Sequence, residues 1–186
     1  MKWLKLNTIT EISSPWLKIF CERWQDEQNH KLDYWRVEKA DSVIVLPLWR
    51  NFIIFPSPFF RVGVNQLTYD LPGGRWHSGS QGQEVVIDIL KRELGIAAEF
   101  ILTVESLNQR GWLVNSSFSN QRLYGFMAEI SSDCFIHEER VGRKIVNNQH
   151  EILKFLEELD CLQCRGVLLE WLRVLSELKF DQPTEE

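Results

Sequence analysis

The sequence lacks any long hydrophobic run, any cluster of lysine and arginine, and any internal repeat. Its apolar stretches are short and interrupted, so we expect no membrane-spanning segment. The first residues include Lys2 and Lys5 and lack the apolar core of a signal peptide. A net charge of −5 without a basic cluster argues against non-specific nucleic-acid binding, which needs a basic surface. We therefore expect neither a nucleic acid nor a membrane as a partner, whereas a small nucleotide needs only a local pocket.

Cysteine is scarce, with four residues in 186. Cys161 and Cys164 form a C-x-x-C motif, but no second pair is present to complete a four-cysteine zinc site. The motif lies in a segment with a helical amphipathic pattern. We expect these two cysteines to be reduced and unliganded, as in a cytoplasmic protein.

Tryptophan is abundant, with eight residues, and the hydrophobic content of 44% is enough for the core of one domain. Trp3, Trp16, Trp24 and Trp35 all lie in the first part of the chain. Large aromatic side chains are favoured in interfaces. Residues 15–27 are predicted to form a Trp-rich amphipathic helix or extension. We interpret residues 1–32 as an extension that contributes a dimer contact; the alternative is that this segment covers its own subunit.

The hydrophobic pattern of the remaining chain predicts an α/β protein. Strands are expected at residues 33–38, 41–48, 51–56 and 65–70, then at 99–105 and 124–130. Helices are expected at residues 84–94, 151–158 and 164–178, the last two joined at Asp160. Leucines at helical spacing between residues 168 and 175 indicate a core or interface stripe. The domain is expected to span residues 33–178, with residues 179–186 as a disordered tail.

One stretch carries the most information about function: Leu71-Pro72-Gly73-Gly74, followed after a spacer by Lys91-Arg92-Glu93-Leu94-Gly95-Ile96. Pro72, Gly73 and Gly74 break a strand and allow a sharp turn. Residues 84–94 then follow as a helix that Gly95 caps. Helical spacing puts positions 89, 92 and 93 on one face.

These residues resemble a Nudix box, G-x5-E-x7-R-E-U-x-E-E-x-G-U, in which U is aliphatic. Anchored on Gly74, the glycine and aliphatic positions match at Gly74, Leu90, Gly95 and Ile96. The four acidic positions fall on Ser80, Ile89, Arg92 and Glu93, so one is still acidic. A register shifted by four residues would match Glu84, Arg92, Glu93 and Leu94. That register places Ser78 at the glycine position and removes two acidic positions, so we prefer the first.

The flanking residues resemble the ADP-ribose pyrophosphatase branch of the Nudix family. The matching pieces are Tyr34–Glu38, Asp41–Leu48, Asn51–Phe55, Phe59-Phe60-Arg61 and Asp70-Leu71-Pro72-Gly73-Gly74. The resemblance covers residues 34–175. It implies a Nudix α/β/α sandwich with a mixed sheet, the box as loop-helix-loop, a homodimer, and a small nucleotide or nucleotide-sugar as ligand. It also implies Mg²⁺ as cofactor, although the lost glutamates indicate that this ion is not bound.

The resemblance also suggests individual site residues. Glu93 is the candidate catalytic and metal-binding residue, and Glu84 is a second metal-ligand candidate. Glu138 and Glu139 lie where the family places a further catalytic glutamate, although an exposed pair is also common without a function. Candidate ligand-binding residues are Arg61, Gly73, Gly74, Arg75, Trp76 and Arg92. His77, the histidine nearest the box, could act as an acid or base.

The charges on the helix leave the role of Arg92 open. Arg92 lies four residues after Asp88, so the two could form an exposed ion pair. A guanidinium also suits a two-oxygen anion, and Arg92 could instead bind phosphate directly. Beside Ile89, Arg92 and Glu93 make a poor Mg²⁺ site, because a hard cation needs several oxygen ligands.

Three hypotheses remain from the sequence. The protein is a Nudix hydrolase with an altered metal site, a non-catalytic binder of a nucleoside diphosphate linked to another moiety, or an interaction module that no longer binds nucleotide. We expect weak or no Mg²⁺-dependent pyrophosphatase activity, because lost metal ligands remove both charge stabilisation and water activation.

Overall fold

A computed structural model of the protein describes residues 2–76 and 79–180. The described residues contain strands, helices and two short 3₁₀ turns. The strands are β1 (Leu4–Ser13), β2 (Lys18–Gln25), β3 (Lys31–Glu38), β4 (Ser42–Trp49), β5 (Phe52–Pro56), β6 (Phe59–Arg61), β7 (Gln66–Thr68), β8 (Gly73–Arg75), β9 (Ile101–Ser106), β10 (Trp112–Leu113), β11 (Arg122–Ile130) and β12 (Val141–Val146). The helices are α1 (Gly82–Leu94), α2 (Gln149–Leu156) and α3 (Leu162–Phe180).

A mixed seven-stranded sheet forms the centre of the fold. Its main order is β10-β11-β4-β5-β12, with β8 paired to β4 and β9 paired to β11. β11 and β4 run parallel from Leu123 and Ser42 to Ile130 and Trp49. The other pairings in this sheet are antiparallel. The sheet therefore has the mixed character expected from the sequence.

The two faces of this sheet carry separate hydrophobic clusters. Alternate residues of β4 point to opposite sides because side chains alternate along a strand. Ile44 and Leu46 pack in the cluster that contains buried residues of α2 and α3. Val43 and Val45 pack in the cluster that contains buried residues of α1. Helices thus cover both faces, and the predicted α/β/α sandwich with a mixed sheet is confirmed.

The N-terminal segment differs from the prediction. The prediction of a helix within residues 15–27 is wrong, because residues 18–25 form β2, the central strand of an antiparallel β1-β2-β3 sheet. The apolar spacing from Trp16 to Trp24 also fits a helix, but β2 pairs with β3 along all eight residues, from Lys18 with Glu38 to Gln25 with Lys31. The cross-strand partners lie in other segments and override the local pattern. The expected domain boundary between residues 32 and 33 falls inside β3.

A buried carboxylate organises this N-terminal sheet. Glu22 is fully buried and accepts hydrogen bonds from Arg36 at 2.8 and 2.9 Å. Lys5 and the indole N–H of Trp24 also donate to it, at 2.5 and 3.2 Å. The hydrogen bonds from Arg36 lower the pKa of Glu22 from 4.5 to about 2, against the opposing effect of burial. The sheet joins the rest of the fold through Val37, whose backbone N–H donates to Phe118 O at 2.8 Å.

The ends of the helices differ slightly from the predicted ones. α1 begins at Gly82, two residues before the predicted start, and Gly95 ends it in a left-handed conformation with φ 71°. α3 continues to Phe180, so residues 179 and 180 of the expected tail are helical, and residues 181–186 lie outside the described residues. Among the described residues, no helix is both long and apolar enough to cross a membrane.

Candidate functional site

The glycine turn and α1 lie close together at the edge of the sheet. β8, which contains Gly73 and Gly74, pairs with β4 through Gly74 and Val43. A Cβ atom on Gly74 would lie 3.0 Å from Ile89 Cγ1 and 3.4 Å from an Arg92 guanidinium nitrogen. A side chain at position 74 would therefore push the turn away from the helix. This close approach explains why the turn carries a glycine here.

Arg92 and Glu93 interact with each other and with the turn. Arg92 donates to Gly73 O at 2.6 Å and to Glu93 Oε1 at 2.8 Å. The other carboxylate oxygen of Glu93 accepts from Gly73 N–H at 3.4 Å. The sequence suggested an ion pair between Arg92 and Asp88 as one possible role of Arg92, but in the structure Arg92 pairs with Glu93. The retained acidic residue of the box is thus neutralised by the arginine next to it.

The remaining positions of the box do not gather around Glu93. Ile89 faces Gly74 as Arg92 does, in agreement with the shared helix face predicted from the sequence, and its side chain is 1% exposed and packs in the α1 cluster. The turn approaches α1 closely at Gly74, and the side chain of Ile89 fills the space beneath it. Glu84 accepts from Gln81 N–H at 3.1 Å and so caps the start of α1.

A cleft of about 460 Å³ opens beside Glu93, which we call the Arg61 cleft. Its lining residues come from the end of β5 and the connection that follows it, from β6, from β7 and the segment after it, from α1 and from the 3₁₀ turn Glu138–Arg140. They are Pro56, Ser57, Phe59, Arg61, Thr68, Asp70, Glu93, Glu139 and Arg140. The structure thus brings Arg61, Glu93 and Glu139 together. Glu138 instead lines a different groove with Trp49 and Lys144.

The cleft contains two guanidinium groups and an exposed aromatic ring. Arg61 Nε donates to Asp70 Oδ2 at 2.7 Å, and the Arg61 guanidinium lies 5.4 Å from the ring centroid of Phe59. Phe59 is 66% exposed. Arg140 donates to Arg92 O at 3.2 Å and therefore lies against the end of α1. The cleft combines a stacking surface with two guanidinium groups and three carboxylates, those of Asp70, Glu93 and Glu139.

Two further candidates from the sequence, Arg75 and Trp76, do not line this cleft. Arg75 donates to Trp16 O at 3.1 Å, and its guanidinium lies 4.4 Å from the Trp16 ring centroid. Trp76 packs against Tyr124, with ring centroids 4.7 Å apart. These two residues therefore stabilise the fold around the turn. His77 lies outside the described residues.

A second groove adjoins the cleft and shares Arg61, Asp70 and Glu93 with it. Gly73 and Gly74 line this groove, together with Cys161 and Cys164 at the start of α3. All four cysteines are free thiols. The hydrogen bond between Cys161 and Cys164 lowers the pKa of Cys161, and the same hydrogen bond together with burial raises the pKa of Cys164.

The contact of Asp70 with the two cysteines does not follow from the sequence. Asp70 belongs to the lead into the box, 91 positions before Cys161. The C-x-x-C spacing was the one signal available, because it places two thiols one helical turn apart. The third member of the group comes from the packing of α3 against the strand edge.

The residues around Glu93 do not fit a Mg²⁺ ion. Mg²⁺ requires near-octahedral oxygen coordination, usually with carboxylates that are free to bind it. Here Glu93 already accepts from Arg92 and Gly73, and Asp70 accepts from Arg61 and Thr68. Two guanidinium groups, those of Arg92 and Arg61, occupy the carboxylates that the ion would need. These ion pairs oppose the binding of Mg²⁺ at Glu93 and Asp70.

Comparison with known proteins gives evidence at the level of fold. No family model matches the sequence, and no curated protein matches it. A solved structure described as an ADP compounds hydrolase is similar, with a TM-score of 0.77, 16% sequence identity and coverage of 96% of both chains. Because the match covers nearly the whole length, it includes the N-terminal sheet as well as the central sheet. At this identity, the similarity establishes that the two proteins share an α/β fold.

Proposed function

We propose that this protein binds a nucleoside diphosphate linked to another moiety in the Arg61 cleft and hydrolyses it weakly or not at all. The pairing of Arg92 with Glu93 at 2.8 Å carries this proposal. It neutralises the one acidic residue that the box retains. With Glu93 and Asp70 both paired to guanidinium groups, the protein is poorly equipped to hold a metal against a pyrophosphate and to activate water.

The cleft itself suits such a ligand. Its volume of about 460 Å³ lies in the range of small-molecule sites. Phe59 offers an exposed ring on which a base can stack, and Arg61 and Arg140 offer guanidinium groups to phosphate oxygens. Ser57 and Thr68 add hydroxyl groups at the rim. The similar solved structure, an ADP compounds hydrolase, supports a ligand of this class.

The alternative is a hydrolase with a rearranged metal site. Glu93 and Glu139 both line the Arg61 cleft, so two carboxylates are available within it. In this alternative Arg92 would leave Glu93 when a metal binds. Mg²⁺ would then be required for activity, and Glu93→Gln would abolish it.

Calorimetry and a product assay separate these hypotheses. ADP-ribose, a nucleotide sugar and a dinucleotide are titrated into the protein in the presence of a chelator and then with Mg²⁺. We expect at least one of them to bind without Mg²⁺, and chromatography to detect little or no Mg²⁺-dependent product. Robust hydrolysis that Glu93→Gln abolishes would establish the alternative. No binding by any ligand class would leave the fold as an interaction module.

A matched pair of variants tests the location of the site. Arg61→Gln removes a guanidinium that pairs with Asp70 inside the cleft. Arg23→Gln removes a similarly exposed guanidinium that pairs with Asp33 in the N-terminal sheet. A charge-assisted contact to phosphate contributes about 1.5–3 kcal/mol, so Arg61→Gln should weaken binding at least about tenfold. Arg23→Gln should leave the affinity unchanged. Equal effects of the two substitutions would contradict binding in this cleft.

A further inference from the structure

Three side chains with metal-binding atoms meet where α3 begins. Asp70, Cys161 and Cys164 each offer one such atom, and these atoms lie within 4.8 Å of one another. Cys164 Sγ lies 3.9 Å from Asp70 Oδ1. With Zn–S near 2.3 Å and Zn–O near 2.0 Å, neighbouring sulfur and oxygen ligands of a tetrahedral zinc ion lie about 3.5 Å apart. Small side-chain movements would therefore bring all three atoms to zinc-binding distances.

We propose that Asp70, Cys161 and Cys164 form a zinc site with three protein ligands. Two sulfur donors and one carboxylate select zinc over Mg²⁺, because thiolates are soft ligands and Mg²⁺ prefers oxygen. The C-x-x-C spacing presents both sulfurs on one side of α3: Cys161 directly precedes the helix, and Cys164 lies in its first turn. Asp70 approaches from the strand side.

The surroundings of these residues already orient the ligand atoms. Arg61 and Thr68 both donate to Asp70 Oδ2, at 2.7 and 3.1 Å, while Oδ1 lies toward Cys164. The backbone N–H of Leu71 donates to Cys164 Sγ at 3.3 Å. Hydrogen bonds of this kind fix the orientation of metal ligands and tune their affinity. Arg61 also balances the charge of the site. Two thiolates and a carboxylate carry one negative charge more than Zn²⁺ neutralises, and the guanidinium of Arg61 supplies one positive charge.

The fourth coordination position faces the groove beside the Arg61 cleft. Cys161, Cys164 and Asp70 line this groove together with Glu93 and Gly73. Three protein ligands with an open position are typical of zinc sites that hold a water molecule or a ligand group. The group lies outside the acidic positions of the box. The proposal therefore does not depend on nucleotide binding, and either can fail alone.

Metal titration of the full-length protein tests the site. The protein is reduced, stripped of metal with a chelator, and titrated with Zn²⁺ in competition with a chromophoric chelator. We expect one ion per chain, and Co²⁺ in its place should give a thiolate-to-cobalt charge-transfer band. Loss of an outer-shell partner of a metal ligand already costs 10–100-fold in affinity, so Cys161→Ser should lower zinc affinity about 100-fold or more. Asp70→Asn should lower the affinity and leave the charge-transfer band.

Controls separate loss of the site from loss of the fold. Cys134→Ser removes a buried thiol outside the group and should leave zinc affinity unchanged. Cys161 is partly exposed, so metal-free Cys161→Ser should melt close to metal-free wild-type protein. Zn²⁺ should raise the melting temperature of the wild-type protein and not that of Cys161→Ser. If Cys161→Ser unfolds, Asp70→Asn and the wild-type cobalt spectrum decide the question.

Two results would overturn the proposal. One is reduced wild-type protein that binds Zn²⁺ no more tightly than Cys161→Ser. The other is a cobalt complex without the charge-transfer band, which would place the metal away from the thiols.

Discussion

The buried carboxylate of Glu22 should make the stability of this protein depend on pH in a specific range. The pKa of Glu22 is lowered from 4.5 to about 2 by the hydrogen bonds from Arg36. A lowered folded-state pKa stabilises the protein above pH 4.5, and this stabilisation is lost as the pH falls from 4.5 toward 2. One pKa unit corresponds to 1.36 kcal/mol, so the contribution is about 3 kcal/mol at pH 7 and about 1 kcal/mol at pH 3.

Urea unfolding of wild-type protein and Glu22→Gln at several pH values between 7 and 3 measures this contribution. Glu22→Gln keeps the shape of the side chain and removes its charge. The variant should therefore lack the part of the pH dependence of stability that comes from Glu22. The free-energy difference between the two proteins should shrink by about 2 kcal/mol from pH 7 to pH 3. Glu105→Gln, at an exposed position on β9, is the matched control and should leave the curve unchanged. Parallel curves for wild-type protein and Glu22→Gln over this range would refute the argument.

Two further predictions concern the N-terminal sheet and the box. We expect the chain to form a dimer through the N-terminal sheet. Trp35→Asp, at a position 52% exposed in this sheet, should give a monomer in light scattering. Leu113→Asp, at an equally exposed position outside this sheet, should remain a dimer. A monomeric wild-type chain at micromolar concentration would contradict this. Ile89→Glu buries a carboxylate in the core and should lower the free energy of unfolding by at least about 2 kcal/mol. Arg92→Glu removes the contacts of Arg92 with Gly73 and Glu93 at a more exposed position and should lower it by less than Ile89→Glu does. Arg92→Glu should raise Mg²⁺ affinity in calorimetry, and an unchanged affinity would show that Arg92 does not block the metal.

The sequence predicted the turn and helix of the box because their causes are local. Pro72, Gly73 and Gly74 favour a turn wherever they occur, and Gly95 caps a helix through its own left-handed backbone. The same local logic predicted β4, whose continuous apolar run fits a strand that is buried on both faces. These elements were correct to within about two residues at their ends.

The errors and omissions concern contacts between distant segments. Whether residues 18–25 form a strand depends on pairing with β1 and β3, which the local apolar spacing does not contain. The burial of Ile89 depends on how closely the turn at Gly74 approaches α1. The separation of Glu138 from Glu139 depends on a 3₁₀ turn that directs adjacent residues into different grooves. Helical spacing alone predicts which side chains share a face of a helix, but it does not predict which face packs against the core.

The box has two kinds of position, and they differ in what a substitution costs. Leu90 and Ile96 lie in the core. Gly74 allows the turn to approach α1 closely, and Gly95 adopts a left-handed backbone conformation that would be strained for most other residues. A change at these positions would damage the fold. Ser80 and Arg92 lie at or near the surface, where substitution has little effect on stability. The sandwich, the turn and the cleft therefore do not require acidic residues at Ser80 and Arg92, and the fold alone does not decide whether the box binds a metal.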